Sequence, residues 1–164
     1  MEVKQCLYGL NLLTEYEQIG VAQTVNLVES EKTALVMAAA YGNNAKSIWM
    51  ATGGLEHLTR EKLKPLIDRH RYIVCWPDRD GIEKWKMRVE SLKYNRISVD
   101  VRPVTQWWKP EDGAKADIAD VVLRMIDTKR IYKTAEEVVE DMPQLKALHE
   151  KLQFELVDGR ESEK

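Results

Sequence analysis

Two aspartates one residue apart, Asp78 and Asp80, follow an apolar run at a spacing that could bind a divalent cation. The stretch at residues 72–85 reads YIVCWPDRDGIEKW. Carboxylates at positions i and i+2 of one loop can both face one ion, and Mg²⁺ takes one or two protein carboxylates while waters and substrate phosphate fill its other positions. Without a cation the two charges would repel, and one group would take up a proton. The spacing therefore predicts a magnesium site.

A third carboxylate, Glu29, ends a second apolar run, TVNLV. It could hold a second ion, or act as an acid or base beside the aspartate pair. Taken alone, it could also sit at the start of the next helix, where negative charge is favoured. The Asp-Arg-Asp-Gly loop taken alone could be a plain turn, because Asp and Gly are common turn residues.

The elements that must position these side chains alternate between strand and helix. Strands are predicted at residues 24–28, 47–51, 72–76 and 97–104, and helices at residues 31–41, 58–70, 82–94 and 117–127. Such alternation predicts an α/β fold, with a mostly parallel four-stranded sheet and helices on both faces. Ligands bind these sheets at the carboxyl ends of the strands. Glu29, Asp78 and Asp80 are therefore expected on one rim, together with the turn at Gly53 and Gly54.

The chain has 164 residues, which fits one such domain with appended segments. We predict an N-terminal extension at 1–20, the α/β domain at 21–130, a C-terminal helical extension at 131–155 and a disordered tail at 156–164. The net charge of −2 argues against binding nucleic acid through overall basicity, although a local patch or a bound metal is compatible with it.

Two features of the composition bear on the compartment. Cys6 and Cys75 lie far apart, which predicts neither a disulfide framework nor a zinc site and favours a reducing cytoplasm. No apolar run reaches the roughly 20 residues that a membrane-spanning helix needs. The expected location is cytoplasmic, without a membrane partner.

Four segments together resemble the toprim domain, a catalytic module shared by bacterial-type DNA primases, type IA and type II topoisomerases, and certain nucleases and recombination proteins. The segments are VNLVESEKTALVMAAAYG, IWMATGG, YIVCWPDRDGIEKW and KADIADVV. The family signature is a strand ending in glutamate, here Glu29, and a later strand ending in an aspartate–any–aspartate pair, here Asp78 and Asp80. The resemblance is strongest to primase-type proteins of phage and mobile elements, and Ser30 stands where the family usually has glycine.

The resemblance implies a metal-dependent phosphoryl- or nucleotidyl-transfer core acting on DNA, most like the catalytic domain of a DNA primase in replication. Asp78 and Asp80 would bind Mg²⁺ or Mn²⁺, and Glu29 would bind metal or serve as general acid and base. Asp117, in a later motif that starts at Lys115, would be a further metal ligand. The implied partners are a single-stranded DNA template, nucleoside triphosphates and further domains of a longer replication protein.

Several residues near these carboxylates are candidates for binding phosphate or the nucleic-acid backbone. They are Lys32, Gly53, Gly54, Arg79, Lys84 and Lys115. The two glycines could instead serve only the turn, Lys32 could be a solvated helix residue, and Asp117 could be a helix N-cap. The adjacent Trp107 and Trp108 could stack on bases or pack against the domain.

Three classes of function remain open at this level. The first is an enzyme, either a primase-like nucleotidyltransferase or a toprim-class nuclease, because the same metal clamp can form or break phosphodiesters. The second is a catalytically weak module that binds nucleic acid or a replisome partner, which the lack of an evident basic accessory region favours. The third is a phosphatase of the haloacid dehalogenase type, but that class places its aspartate pair after the first strand, and here the pair follows the third.

Overall fold

A computed structural model describes residues 6–127 of the chain. The chain divides into two compact units, Met1–Arg124 and Met125–Lys164, and only residues 125–127 of the second unit are described. The C-terminal extension predicted at 131–155 and the tail predicted at 156–164 lie outside the described residues. None of the described helices is long and apolar enough to cross a bilayer.

Four strands and six α-helices make up the described part of the chain. In order they are α1 (Leu12–Glu15), β1 (Thr24–Val28), α2 (Glu31–Tyr41), β2 (Ser47–Ala51), α3 (Arg60–Asp68), β3 (Tyr72–Cys75), α4 (Ile82–Leu92), β4 (Ile97–Val99), α5 (Arg102–Thr105) and α6 (Ile118–Asp127). Short 3-10 turns lie at Leu55–His57, Arg79–Gly81 and Pro110–Asp112.

All four strands pair in parallel, in the order β2-β1-β3-β4, so the predicted α/β fold is confirmed. From β1 the chain passes through α2 to β2 on one side, and from β3 it passes through α4 to β4 on the other. Adjacent strands whose connections leave in opposite directions form the switch point of a doubly wound sheet, which is where such sheets bind ligands. Here the switch point lies between the carboxyl ends of β1 and β3.

Helices cover both faces of the sheet because successive strand residues point to opposite sides. Leu27 of β1 belongs to one buried cluster, which also contains Trp85 of α4 and side chains of α3. The next residue, Val28, belongs to a second buried cluster with Met37 of α2 and Val122 of α6. The two clusters place α3 and α4 on one face and α2 and α6 on the other, as the α/β prediction requires.

Part of the segment predicted as an N-terminal extension packs into the first cluster. Leu7 and Leu13 are buried there. Tyr8 makes an antiparallel bridge with Ala51, the last residue of the edge strand β2, through two backbone hydrogen bonds. This segment therefore pairs with the carboxyl end of β2, the strand at the edge of the sheet.

A buried amide in β1, Asn26, links three neighbouring strands. Its Nδ2 donates to Ser47 Oγ in β2 at 2.8 Å, and its Oδ1 accepts from the indole Nε1 of Trp76, just beyond β3, at 3.0 Å. Asn26 is 6% exposed, so an amide without these partners would cost about 1–3 kcal/mol. The contacts favour this one alignment of the three strands.

The boundaries of α2 follow the sequence prediction. Ser30 Oγ accepts a hydrogen bond from the backbone N–H of Thr33 at 3.1 Å, as an N-cap does. Gly42 ends the helix at a φ of +78°, which a residue without Cβ adopts readily.

The fourth strand is shorter than predicted. It ends at Val99 instead of residue 104, and α5 follows. Asp100 turns the chain, because its Oδ1 accepts from the backbone N–H of Arg102 at 3.0 Å. Pro103 has no N–H for a strand ladder but fits the first turn of a helix. The alternating apolar residues of this segment therefore mark a strand end and a helical turn.

Candidate functional site

The structure brings Glu29, Asp78 and Asp80 together at the switch point. Glu29 directly follows the last residue of β1, and the Asp78–Asp80 loop follows β3. The negative charges of Glu29 and Asp80 both raise the pKa of Asp78, and the charge of Asp80 also raises the pKa of Glu29. A Cβ built on Gly81 would stand 3.9 Å from Glu29 Oε2, which puts the Glu29 carboxylate beside the end of the aspartate loop.

One oxygen of Asp78 has no partner. Its Oδ1 is buried and accepts no hydrogen bond from the described residues. Burial, followed by the negative charges of Glu29, Asp117, Asp80 and Asp120, raises the pKa of Asp78 to about 7. A half-buried carboxylate surrounded by carboxylates favours its protonated form unless a positive charge joins it.

The carboxyl group of Glu29 is also perturbed. Burial is the main cause that raises its pKa, and Asp80 and Glu56 raise it as well. The backbone N–H of Leu55 donates to this carboxylate and lowers the pKa, as does the charge of Lys84. A half-buried carboxyl whose pKa is raised holds its proton more readily than an exposed glutamate does, which suits a general acid or base.

The glycine turn after β2 holds the backbone of Glu29. The N–H groups of Gly53 and Gly54 donate to the Glu29 carbonyl oxygen at 2.9 and 3.1 Å. Both glycines have positive φ angles, +78° and +141°, which favour glycine. The two glycines therefore form the turn that the sequence predicts, and their role in binding phosphate stays a prediction.

Asp117 stands just before α6 with donors on both of its oxygens. Thr33 Oγ1 donates to Asp117 Oδ2 at 2.5 Å, and the backbone N–H of Asp120 donates to Asp117 Oδ1 at 2.9 Å. The backbone N–H of Asp117 in turn donates to Asp120 Oδ2 at 2.9 Å. Asp117 thus caps α6, the structural alternative noted above, while its role as a metal ligand stays a prediction.

The three candidate lysines all stand beside carboxylates of this rim. Lys32 Nζ lies 3.6 Å from Asp117 Oδ2 and 3.7 Å from Asp120 Oδ1. Lys115 Nζ lies 3.9 Å from Asp80 Oδ2, and its side chain is 85% exposed. The charge of Lys84 lowers the pKa of Glu29, and Lys84 Nζ lies 3.5 Å from Glu56 Oε1. Their ammonium groups are exposed and loosely paired, so an incoming phosphate could exchange with the carboxylates.

Arg79, the residue between the two aspartates, is engaged within the protein. Its guanidinium lies 3.8 Å from the ring centroid of Trp108 and donates to the Val104 carbonyl oxygen at 2.7 Å. Its backbone N–H donates to the Ala116 carbonyl oxygen at 2.9 Å. The predicted contact of Arg79 with phosphate stays untested, and its observed role is to tie the aspartate loop to residues 104–116.

Sequence reasoning missed Thr33 and Arg124. Thr33 is 1% exposed and lies 84 residues before the aspartate it contacts. Arg124 Nε donates to Asp112 Oδ1 at 2.6 Å, a pairing across the turn before α6. For Thr33 the only local signal was its position three residues after Ser30, and that signal indicates a helix cap without naming a distant partner.

The oxygen donors at the switch point suit a divalent cation that keeps most of its waters. Within the described ranges, no three His, Cys, Asp or Glu side chains form a group that could hold an ion together. Mg²⁺ needs only one or two protein carboxylates, because waters and substrate phosphate complete its shell. The unpartnered Oδ1 of Asp78, with Asp80 two residues on, provides hard oxygen donors of this kind and fits such an ion.

Residues 1–79 match the model of a family described as a domain of unknown function, DUF6371. No curated protein and no solved structure matches the chain. The matched segment contains Glu29, the glycine turn and Asp78, and it ends one residue before Asp80. The family description assigns no activity to these residues, so the toprim resemblance stays a prediction.

Proposed function

We propose that this chain is a metal-dependent phosphoryl- or nucleotidyl-transfer domain that acts on DNA, most like the catalytic domain of a DNA primase. The observation that carries the proposal is the buried, unpartnered Oδ1 of Asp78 at the switch point, with Glu29 and Asp80 beside it. A buried carboxylate oxygen without a donor or a counter-charge is costly, and a bound cation would offset that cost. The order of the motifs, which resembles that of toprim domains, supports the same conclusion.

Each side chain of the site has a role that follows from its surroundings. Asp78 and Asp80 would hold Mg²⁺ or Mn²⁺, which when bound supplies positive charge to the oxygens of a transferring phosphoryl group. Glu29 takes up and gives back a proton at its half-buried carboxyl group, whose pKa is raised by burial. The exposed ammonium group of Lys115, next to Asp80, attracts the phosphates of the incoming strand or nucleotide.

The decisive experiment runs two assays on the same preparation of the full chain. One measures primer synthesis from nucleoside triphosphates on a single-stranded DNA template, and the other measures cleavage of labelled DNA, both with Mg²⁺ or Mn²⁺. We expect primer synthesis that is lost in Asp78→Asn and in Glu29→Gln. Asp68→Asn is the matched control, because Asp68 is an exposed carboxylate at the end of α3, away from the switch point. Cleavage without synthesis would instead identify a nuclease.

A second candidate is a module that binds nucleic acid or a replication partner without turnover. It is favoured by the lack of a three-carboxylate group in the described residues, since two-metal catalysis commonly relies on several shared ligands. Metal binding and DNA binding without either activity would support this candidate. Absence of metal binding, DNA binding and activity would contradict both.

A further inference from the structure

The segment 104–113, which we call the Trp loop, is fixed to α6 by an arginine. Arg124 Nη2 donates to the carbonyl oxygen of Trp107 at 2.6 Å, and Arg124 Nε donates to Asp112 Oδ1 at 2.6 Å. The side chain of Asp112 is 2% exposed and that of Arg124 is 16% exposed. A shielded two-point pairing of this kind holds a loop in one conformation more firmly than an exposed ion pair does.

The two tryptophans of the Trp loop are used differently. Trp108 is half-buried, with the Arg79 guanidinium over its ring and its Nε1 donating to the Gly113 carbonyl oxygen at 2.8 Å. Trp107 is 44% exposed. Within residues 6–127 the Trp107 indole has neither a hydrogen-bond partner nor an aromatic neighbour. An exposed indole on a loop held this firmly loses little conformational entropy when it binds a flat partner.

The Trp loop is joined directly to the acidic rim. Arg79, which contacts the loop through Val104 and Trp108, is the residue between Asp78 and Asp80. Lys109, inside the Trp loop, and Lys115, between the loop and α6, have side chains that are 58% and 85% exposed. Exposed cations interleaved with an exposed aromatic ring form the surface that single-stranded nucleic acids bind, with phosphates on the cations and bases on the ring.

We infer that Trp107 is a stacking platform for one base of the single strand whose phosphates reach the carboxylate site. The inference rests on the proposed function, because it takes the polynucleotide at the site as given. The ring contributes π-stacking without reading base identity, so the contact is tolerant of sequence. Trp108 and Arg79 do not contact the base, and they hold the platform in position.

The test measures the affinity of the full chain for two labelled oligonucleotides of equal length in Mg²⁺ or Mn²⁺, one of thymidines and one abasic. We expect Trp107→Ala to weaken binding of the thymidine strand by roughly five- to 150-fold, the range that corresponds to loss of one base–aromatic stack. Binding of the abasic strand should not change. Trp107→Phe, which keeps an aromatic face, should restore most of the loss.

Tyr41→Ala is the matched control. Tyr41 is a 64% exposed aromatic residue at the C-terminal end of α2, so it lies at the edge of the sheet opposite the carboxylates. The Tyr41→Ala variant should bind both strands with the affinity of the parent.

Two results separate failure of the inference from failure of the proposed function. If the parent binds both strands equally in a metal-dependent way, or if Trp107→Ala weakens both by the same factor, stacking at Trp107 is wrong while the proposed function stands. If the parent binds neither strand in the presence of metal, the proposed function is wrong and the inference falls with it.

Discussion

Two groups of carboxylates on the same rim differ in how completely the protein satisfies them. Asp117 receives hydrogen bonds from Thr33 and from the backbone of Asp120, and Lys32 stands near both aspartates. Asp78 has a buried oxygen that accepts nothing from the described residues, and the charges that raise its pKa are those of four acids. The group around Asp117 is hydrogen-bonded within the fold, whereas the group around Asp78, which we call the unsatisfied group, would be stabilised by an added positive charge.

The difference teaches that a place in a motif resembling those of toprim domains does not by itself identify a carboxylate that is free to bind an ion. Both groups lie in segments that resemble toprim motifs, and the resemblance implies metal ligands in each of them. What separates them is the count of donors, since a carboxylate that is already fully hydrogen-bonded gains little from an ion.

The largest effect should come from removing the two aspartates of the unsatisfied group. At a metal concentration about 100 times Kd, binding to the folded state would raise the free energy of unfolding by about 2.7 kcal/mol. Asp78→Asn combined with Asp80→Asn should abolish that increment, measured as the rise in melting temperature on adding Mg²⁺ or Mn²⁺. A double variant that responds to metal as the parent does would refute the assignment of the ion to these residues, with Asp68→Asn as the control.

Loss of Asp117 should destabilise the fold whether or not metal is present. Asp117→Ala removes the acceptor for the buried Thr33 hydroxyl and for the Asp120 N–H. We expect a cost of about 2 kcal/mol, the sum of a lost buried hydrogen bond and a lost helix cap. Urea unfolding with and without Mg²⁺ measures it. If the loss of unfolding free energy appears only with metal, Asp117 is itself a metal ligand, and the distinction between the two groups is wrong.

A pH dependence should follow from Asp78. Burial and the neighbouring negative charges raise its pKa from the ordinary 3.8 to about 7 in the fold, so the folded state holds a proton between these values that the unfolded state has lost. Its stabilising contribution is therefore fully present below about pH 4 and is lost as pH rises through about 7. In metal-free buffer, Asp78→Asn should gain stability relative to the parent between pH 5 and pH 8. Solvent screening at this half-exposed group makes the gain smaller than full linkage predicts.

If the relative melting temperatures of the parent and Asp78→Asn stay constant across this pH range, the carboxylate is not held in the unfavourable surroundings described. Asp117→Ala serves as the contrasting variant. Its destabilisation should persist across the same pH range, because its cost comes from lost hydrogen bonds.

The smallest effect should come from the cap of α2. Ser30→Ala removes the acceptor for the Thr33 N–H and should cost about 1 kcal/mol, whereas Ser30→Gly should cost only a few tenths. Thermal unfolding of both variants measures the difference. If Ser30→Gly costs much more, the hydrogen bond of 2.8 Å between Ser30 Oγ and Thr33 Oγ1 also supports the link from α2 to Asp117.

Local patterns predicted most of the fold. The bounds of β1, α2 and β2 match the sequence prediction, because each has an uninterrupted apolar pattern followed by a clear stop such as Gly42. β4 was predicted too long, because alternation alone cannot reveal the turn that Asp100 makes with Arg102. The rim position of Glu29 followed from the strand–helix order, which sets where carboxyl ends of parallel strands lie.

The remaining features depend on contacts that no local pattern encodes. The hydrogen bond from Thr33 to Asp117 requires that α2 and α6 pack on the same face of the sheet, which the order of elements alone does not determine. Arg79 reads as a free basic residue in the sequence, and only the folded position of Trp108 reveals its stacking. Local sequence therefore predicts which residues reach the rim, and tertiary packing determines which of them stay available.

The hydrogen-bonded amide of Asn26 has a consequence for the dimensions of the rim. Sliding β3 along β1 by two residues would leave every side chain on its original face, so apolar burial would penalise the slip weakly. It would also carry the aspartate loop about 6.6 Å away from Glu29, at roughly 3.3 Å per residue. The bond from the Trp76 indole to Asn26 breaks under such a slip. One buried hydrogen bond inside the sheet thus fixes the register of β1 and β3, and with it the distance between the acidic residues that follow these two strands.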